Sequence, residues 1–425
     1  KGISYGFVNK PERKIEELEK FSRTYTKSQY IDDALYELGN TYVNQNLNEK
    51  ALLTYDELIA KHTSSSYVAK AILKQGLIYY NGNKEEQAIV KFKKVVAEFP
   101  NSPESLEAVS TARLIYVDNG KVDEYADWVK TLSFIEVSNA DLDNDTYESA
   151  EKQYLQNNAK QAISGFTSYV SKFPNGLHAL KANFYLAQLY FADNLENNAI
   201  KHYEFVVSKS RNEFTEQALA RLCQVHLKAK DYNNAIPVLQ RLETEAEFPQ
   251  NTTYAQSNLM KSFYEKEDFA NAVIYADKVL KNDKIEDRIK SDAQIIVARS
   301  AIKTNDEAKA KEAYEKLNKI AKGELKAEAL YYDAYFKNKE GKFEASNKVV
   351  ENIAVDYSGY KYFGSKALII MAKNYFSMND SFQATEILQS VVDNFTDYAD
   401  VVAEAQKELD YIKGEEAKRN SSITN

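Results

Sequence analysis

A single cysteine, Cys223, rules out an internal disulfide framework and a cysteine-based zinc site. Only 6 prolines and 13 glycines stand in 425 residues, which disfavours turn-rich β folds and favours helices joined by short polar breaks. The four histidines (His62, His178, His202, His226) include no pair at i, i+4, so no helical metal site is expected. No excess of basic charge exists: the net charge is −8 and the pI about 5.4, which argues against a nucleic-acid partner. No apolar run approaches 18 residues, no glycine-rich phosphate loop occurs, and Trp128 is the only tryptophan available as a sugar platform. The chain opens at Lys1 without Met and is read as a mature or truncated fragment. Any signal peptide or lipid anchor, and with it any membrane association, would lie in an upstream region.

What is present is apolar and periodic. Apolar residues make up 44% of the chain, enough for a large core, and 31 tyrosines stand out. Alanines that open an aromatic-ended run recur at Ala34, Ala71, Ala108, Ala182, Ala218, Ala255, Ala293, Ala327 and Ala367, with Asp145 in the one empty slot, a period of about 37 residues. Eight residues on stand Tyr42, Tyr79, Tyr116, Tyr190, Phe263, Tyr335 and Tyr375, with Gln153, His226 and Ala301 as exceptions. Seventeen residues on, a second alanine column begins with Ala51, Ala88, Ala162, Ala199 and Ala235; Tyr125 replaces it in the third repeat and Ala345 lies one residue late. Four beyond that column come Tyr55, Phe92, Phe166 and Tyr203. Apolar spacings of three and four make each repeat two helices. A small-residue column five past the first alanine (Gly39, Gly76, Ala150, Ala187, Cys223, Ala298, Ala372) lets the two helices approach, with Arg113, Met260 and Tyr332 as exceptions. Pro237 falls in the first turn of its helix, where proline is tolerated.

The stretch ALYELGNTYVNQNLNEKALLTYDELI (34–59) resembles the tetratricopeptide repeat, through Leu38-Gly39, Tyr42, Ala51 and Tyr55. The resemblance implies an all-α fold: an α-solenoid of helix-turn-helix, tetratricopeptide-like repeats wound as a right-handed superhelix, held together by stacking of neighbours. Residues 1–27 are expected to be the second helix of a preceding repeat whose first helix is missing. Residues 28–398 would form about ten repeats, and 399–425 a capping helix followed by a solvated polar tail from 413. The turns Phe99-Pro100-Asn101-Ser102 and Phe173-Pro174-Asn175-Gly176 resemble those of bacterial cell-envelope members of the family, and residues 141–176 resemble large Bacteroidetes repeat proteins. A periplasmic or outer-membrane-associated location is expected, with the cytoplasm as the alternative.

Little here is arranged for chemistry. Cys223 sits in the small-residue column and His226 in the aromatic one, and both are expected to pack. The run Asp141-Leu142-Asp143-Asn144-Asp145 matches the first positions of a calcium loop, but Thr146 replaces the turn glycine and Lys152 the bidentate glutamate, so a capped helix start is the expectation. No cofactor, metal or catalytic residue is expected. By the resemblance, first helices line a concave groove, and the partner-binding ladder would be Tyr36, Asn40, Asn44, Lys70, Tyr80, Lys181, Phe184, Gln188, Phe191, Gln217, Gln224, Lys261, Tyr264 and Arg299. Tyr, Lys and Gln in such a groove suit a peptide or protein partner. The expected function is a non-enzymatic protein–protein interaction scaffold. The alternative is a structural assembly module that binds other subunits through its ends or convex face. The residues one past the aromatic column, such as Tyr80, Tyr154 and Tyr264, have a second role open to them, packing helix against helix between repeats.

Overall fold

The computed structural model describes the backbone of residues 1–423 and side chains through Arg419. Among the described residues every regular element is a helix, 23 in all, and consecutive helices pack as antiparallel pairs. Two compact units divide the chain, Lys1–Val206 and Val207 onward.

The first compact unit begins with α1 (Gly2–Phe7) and α2 (Pro11–Thr24). Four pairs follow: α3 (Ile31–Asn44) with α4 (Asn48–Lys61), α5 (Val68–Asn81) with α6 (Glu85–Glu98), α7 (Pro103–Asp118) with α8 (Val122–Val129), and α9 (Asn139–Leu155) with α10 (Ala159–Lys172). α11 (Ala179–Ala192) and α12 (Glu196–Ser208) complete it, the last two residues of α12 falling past the boundary. The second compact unit holds α13 (Thr215–Lys228) with α14 (Tyr232–Glu245), α15 (Pro249–Glu265) with α16 (Phe269–Leu280), and α17 (Asp287–Lys303) with α18 (Glu307–Ile320). It ends with α19 (Gly323–Lys339) and α20 (Phe343–Asp356), α21 (Lys361–Ser377) and α22 (Ser381–Asn394), and α23 (Ala399–Ile423).

The small-residue column does what its spacing requires. A Cβ on Gly39 would run into the Tyr55 ring, and one on Gly76 would lie 2.5 Å from Cε1 of Phe92. Tyr55, Phe92, Phe166 and Tyr203, the rings of the second helices, are completely buried. Each contributes on the order of 2–3 kcal/mol of transfer free energy.

One further column links the two helices of every repeat. A left-handed residue stands at Asn46, Asn83, Gly120, Asn157, Asn194, Lys230, Glu267, Asn305, Gly341 and Asn379. Its N–H and that of the next residue bond back to the end of the first helix, as in Asn46 N–H to the Val43 carbonyl (2.9 Å) and Leu47 N–H to the Tyr42 carbonyl (2.8 Å). The same pair of bonds recurs in all ten repeats, so the break is a Schellman turn each time. Asparagine and glycine take this backbone conformation at low cost, which is why they dominate the column. In the second compact unit the residue that follows is often aspartate: Asp231, Asp268, Asp306 and Asp380 each cap the second helix through the side chain.

This turn corrects the register of the ninth repeat. Lys342 N–H bonds to the Lys337 carbonyl, so the residue equivalent to Tyr42 is Lys337 and not Tyr335. The first-column alanine is therefore Ala329, the small residue is Ala334, and Ser346 takes the second-alanine place, all completely buried, with the Ser346 hydroxyl donating to the Ala334 carbonyl at 2.8 Å. Tyr332 is no longer an exception; it stacks on Tyr314 at 4.0 Å. Two genuine exceptions compensate each other: Arg113, in the small-residue column, donates to Asp145, in the first-alanine column, through Nε at 2.9 Å and through Nη2.

Three other expectations change. A short α1 lies before α2, with Gly2 against Leu18, so a helix occupies the place expected to be empty. Pro237 lies in the second turn of α14, not the first; on this exposed side water can take the Asn233 carbonyl that proline leaves unbonded. Residues 413–423 continue α23 instead of forming a tail, because Lys, Glu and Ala are strong helix formers and Glu415 pairs with Lys418 at 2.8 Å. The capped helix start expected at the Asp141–Asp145 run is present: Ser138 and Asp141 form a capping box at the start of α9, and Asp143 and Asp145 lie inside the helix.

Glu267 holds the left-handed position with a side chain that disfavours it. Glu267→Asn is expected to raise stability by about 0.5–1 kcal/mol, read as a higher urea midpoint for the second compact unit; a lowered midpoint would contradict the strain argument.

Candidate functional site

Aligning the repeats on their Schellman turns gives each first helix a common numbering, and its surface then resolves into three kinds of contact. At four junctions the residue six past the first-column residue faces the residue just before the first-column residue of the next repeat. Where both are charged they pair: Glu151 with Lys181 at 3.5 Å, Lys261 with Asp292 at 2.6 Å, Arg299 with Glu328 at 2.5 Å, and Lys373 with Glu404 at 3.4 Å. The Arg299–Glu328 pair is the tightest. Arg299 donates through both Nε and Nη2, Glu328 is 3% exposed, and the Tyr314 hydroxyl donates to the same carboxylate at 2.9 Å. That carboxylate holds the guanidinium above its ordinary pKa.

The second contact is aromatic. At three junctions the residue two past the first-column residue packs on the residue four before the next one. Tyr36 stacks on Tyr67 at 4.7 Å, Tyr147 on His178 at 4.2 Å, and Tyr331 lies against Phe363 at 6.1 Å. Such rings close the gap between consecutive first helices. The third contact lies nine past the first column, where Tyr80, Tyr154 and Tyr264 are half-buried and pack on the core.

The expected ladder is divided by these contacts. Lys181, Lys261 and Arg299 are members of the inter-repeat ion pairs. Asn40 accepts the Tyr55 hydroxyl at 2.7 Å, and Tyr36, Tyr80 and Tyr264 are packed rings at half burial. Phe184 was expected on the surface and is instead core, 4% exposed, with its ring edge-on to Tyr203 at 6.4 Å; a phenyl ring two past the first column turns toward the second helix. Gln188 and Phe191 are half-buried. Asn44, Lys70, Gln217 and Gln224 are exposed, with the Lys70 ammonium over the Tyr67 ring.

Sequence reading missed the acidic halves of the pairs, Glu151, Asp292, Glu328 and Glu404, because it treated each helix face alone. A search for charge opposition between positions 29–31 residues apart would have found them. It also passed over Ala220 and Ser257, whose small side chains open two clefts between first helices. One, of 570 Å³, lies between α13 and the start of α15; the other, of 710 Å³, lies between α15 and α17.

The residues that could carry chemistry are occupied elsewhere. Burial pushes the Cys223 thiol up to about 12, far from a nucleophile's range. Burial lowers His202 to about 4, and its Nδ1 lies 2.7 Å from Asn183 Oδ1. Asp143 accepts the Tyr169 hydroxyl and the Leu177 N–H, fixing the turn after α10. Among the described residues no three His, Cys, Asp or Glu side chains group as metal ligands, and no helix is long and apolar enough to cross a membrane.

Residues 33–65 and 70–102 match the tetratricopeptide repeat profile, and residues 130–254 match that of the tetratricopeptide repeat-like domain. No curated protein sequence matches the chain. Among solved structures, a tetratricopeptide repeat protein from Parabacteroides merdae is 15% identical, covering 60% of this chain and 94% of its own, with a TM-score of 0.29. Yeast Tom70 is 11% identical, covering 99% and 96%, with a TM-score of 0.34. The fold is an α-solenoid of tetratricopeptide-like helix pairs.

Two outcomes follow. Arg299→Leu leaves the buried Glu328 carboxylate unpaired and is expected to cost about 2–3 kcal/mol, below the range for a fully buried pair because the guanidinium reaches solvent. Adding Glu328→Leu should restore most of that loss in a double-mutant cycle, and purely additive losses would show that the pair is not coupled. Cys223 should resist iodoacetamide at pH 8 in the folded chain and react fully in urea; fast labelling of the native protein would place the thiol at the surface.

Proposed function

We propose that the chain is a non-enzymatic scaffold whose first-helix face receives a protein or peptide partner. The supporting observation is the pair of open clefts between α13, α15 and α17, on a face where Glu151–Lys181, Arg299–Glu328 and Lys373–Glu404 pair between neighbouring repeats. A surface that has satisfied its own ionic groups takes a partner through shape, apolar contact and a few exposed amides, here Gln217 and Gln224, the latter accepting from Arg221 at 2.8 Å. Tetratricopeptide repeats bind protein partners, and the matched profiles bring that property to this chain as the working reading. A bacterial cell-envelope setting belongs to the same reading and rests on the turns at Phe99–Ser102 and Phe173–Gly176.

One observation favours the second reading, assembly through the second-helix face. Leu53, Val90 and Ile274 each stand two residues past a second-column alanine, and each is more than half exposed. Leu53 and Val90 occupy the same position in adjacent repeats.

Mild cross-linking in the native host, followed by affinity purification of the full chain, separates the two. Gln217→Arg with Gln224→Arg should abolish recovery of the partner, while Leu53→Glu with Val90→Glu should leave it. The reverse result would assign the partner to the second-helix face, and recovery of no partner would overturn the scaffold reading.

A further inference from the structure

The two clefts differ from the three stacked junctions in one respect. At the stacked junctions Tyr36, Tyr147 or Tyr331 meets a ring of the next repeat. At the equivalent place the sixth repeat has Ala220 facing Asn251, and the seventh has Ser257 facing Ile289. The missing rings leave space of the same kind that the stacks fill elsewhere, twice in succession and on one face. The Ser257 hydroxyl is buried beneath the cleft without a hydrogen-bond partner, a polar group that the packing at this junction leaves unsatisfied.

The walls carry opposite charge. Around the α13–α15 cleft Arg211 and Arg221 stand against Glu213, Glu216 and Glu247, which leaves one net negative charge. The ring of Phe248, more than half exposed, lies at the same cleft and suits a cation. Around the α15–α17 cleft Lys261, Lys284 and Arg288 stand against Glu286 and Asp292, which leaves one net positive charge. The floor there is apolar, from Tyr254, Ile285, Ile289 and the Pro249 ring.

Packed helices lie about 8–10 Å apart, and α15, which packs directly on α17, separates the two clefts, so they are spaced by about that distance. A polyproline-II segment repeats its side-chain direction every third residue, at about 9 Å. We propose, building on the scaffold reading, that the two clefts bind one extended segment of a partner protein across α15. Its basic side chain enters the α13–α15 cleft beside Phe248. Three residues away an apolar side chain, with an acidic neighbour for Lys284 and Arg288, enters the α15–α17 cleft.

The test uses a phage-displayed library of random dodecapeptides selected on the full chain. Peptides with a basic and an apolar residue three apart, the apolar one beside Asp or Glu, should be enriched. Ser257→Tyr and Ala220→Tyr install the ring that other repeats already carry, so both should fold, as checked by circular dichroism and melting. Each should weaken an enriched synthetic peptide at least about tenfold. Arg288→Glu, an exposed change, should shift selection from acidic to basic neighbours. Enrichment of no motif, or of peptides that bind wild type and both tyrosine variants alike, overturns the inference. Loss of the host partner in the glutamine variants alongside such a result would leave the scaffold reading standing.

Discussion

The stack depends on one recurring contact, a small residue on the first helix set against a bulkier side chain on the second, which is a ring in five of the ten repeats. Gly39 against Tyr55 and Gly76 against Phe92 bring two backbones so close that a single added carbon would collide with the ring. Because the ring is buried by its own partner helix and by the neighbouring repeat, no pair is stable in isolation. Close approach also demands a tight connection, and the Schellman turn with its left-handed residue supplies it in all ten repeats. The turn fixes the register more firmly than the aromatic column does, as the ninth repeat shows, where Tyr335 sits near the expected place and Lys337 makes the bond.

The polar groups of the first helices serve the stack before they can serve a partner. Charged residues 29–31 positions apart are matched between neighbours, and the tightest pair adds a tyrosine hydroxyl to a buried glutamate. An isolated charge at such a place would carry a desolvation penalty, so the pairing is a condition of the packing. The same logic explains Arg113 and Asp145, two residues that each break a column and are tolerated only together. What remains for binding is defined by subtraction: exposed amides, and junctions such as those at Ala220 and Ser257 where the rings are missing.

Much of this was legible in the residues. The alanine, aromatic and small-residue columns named the helices and their pairing. They also placed Cys223 and His226 in the core, where both are found. The candidate surface was less legible. Phe184 shares a sequence position with Tyr36 and Tyr147, yet its ring is buried against Tyr203 while Tyr36 stacks on the next repeat. Position on a helix limits a side chain to one face, but its rotamer decides which neighbour it meets.

The sequence alone therefore determined the repeat, its period and its buried columns, because those follow from side-chain size recurring at helical spacing along one chain. Only the tertiary structure decided which charges cancel, where the register slips in the ninth repeat, and which junctions stay open. Each of those is a relation between side chains about thirty residues apart, and no periodicity within a single helix encodes it.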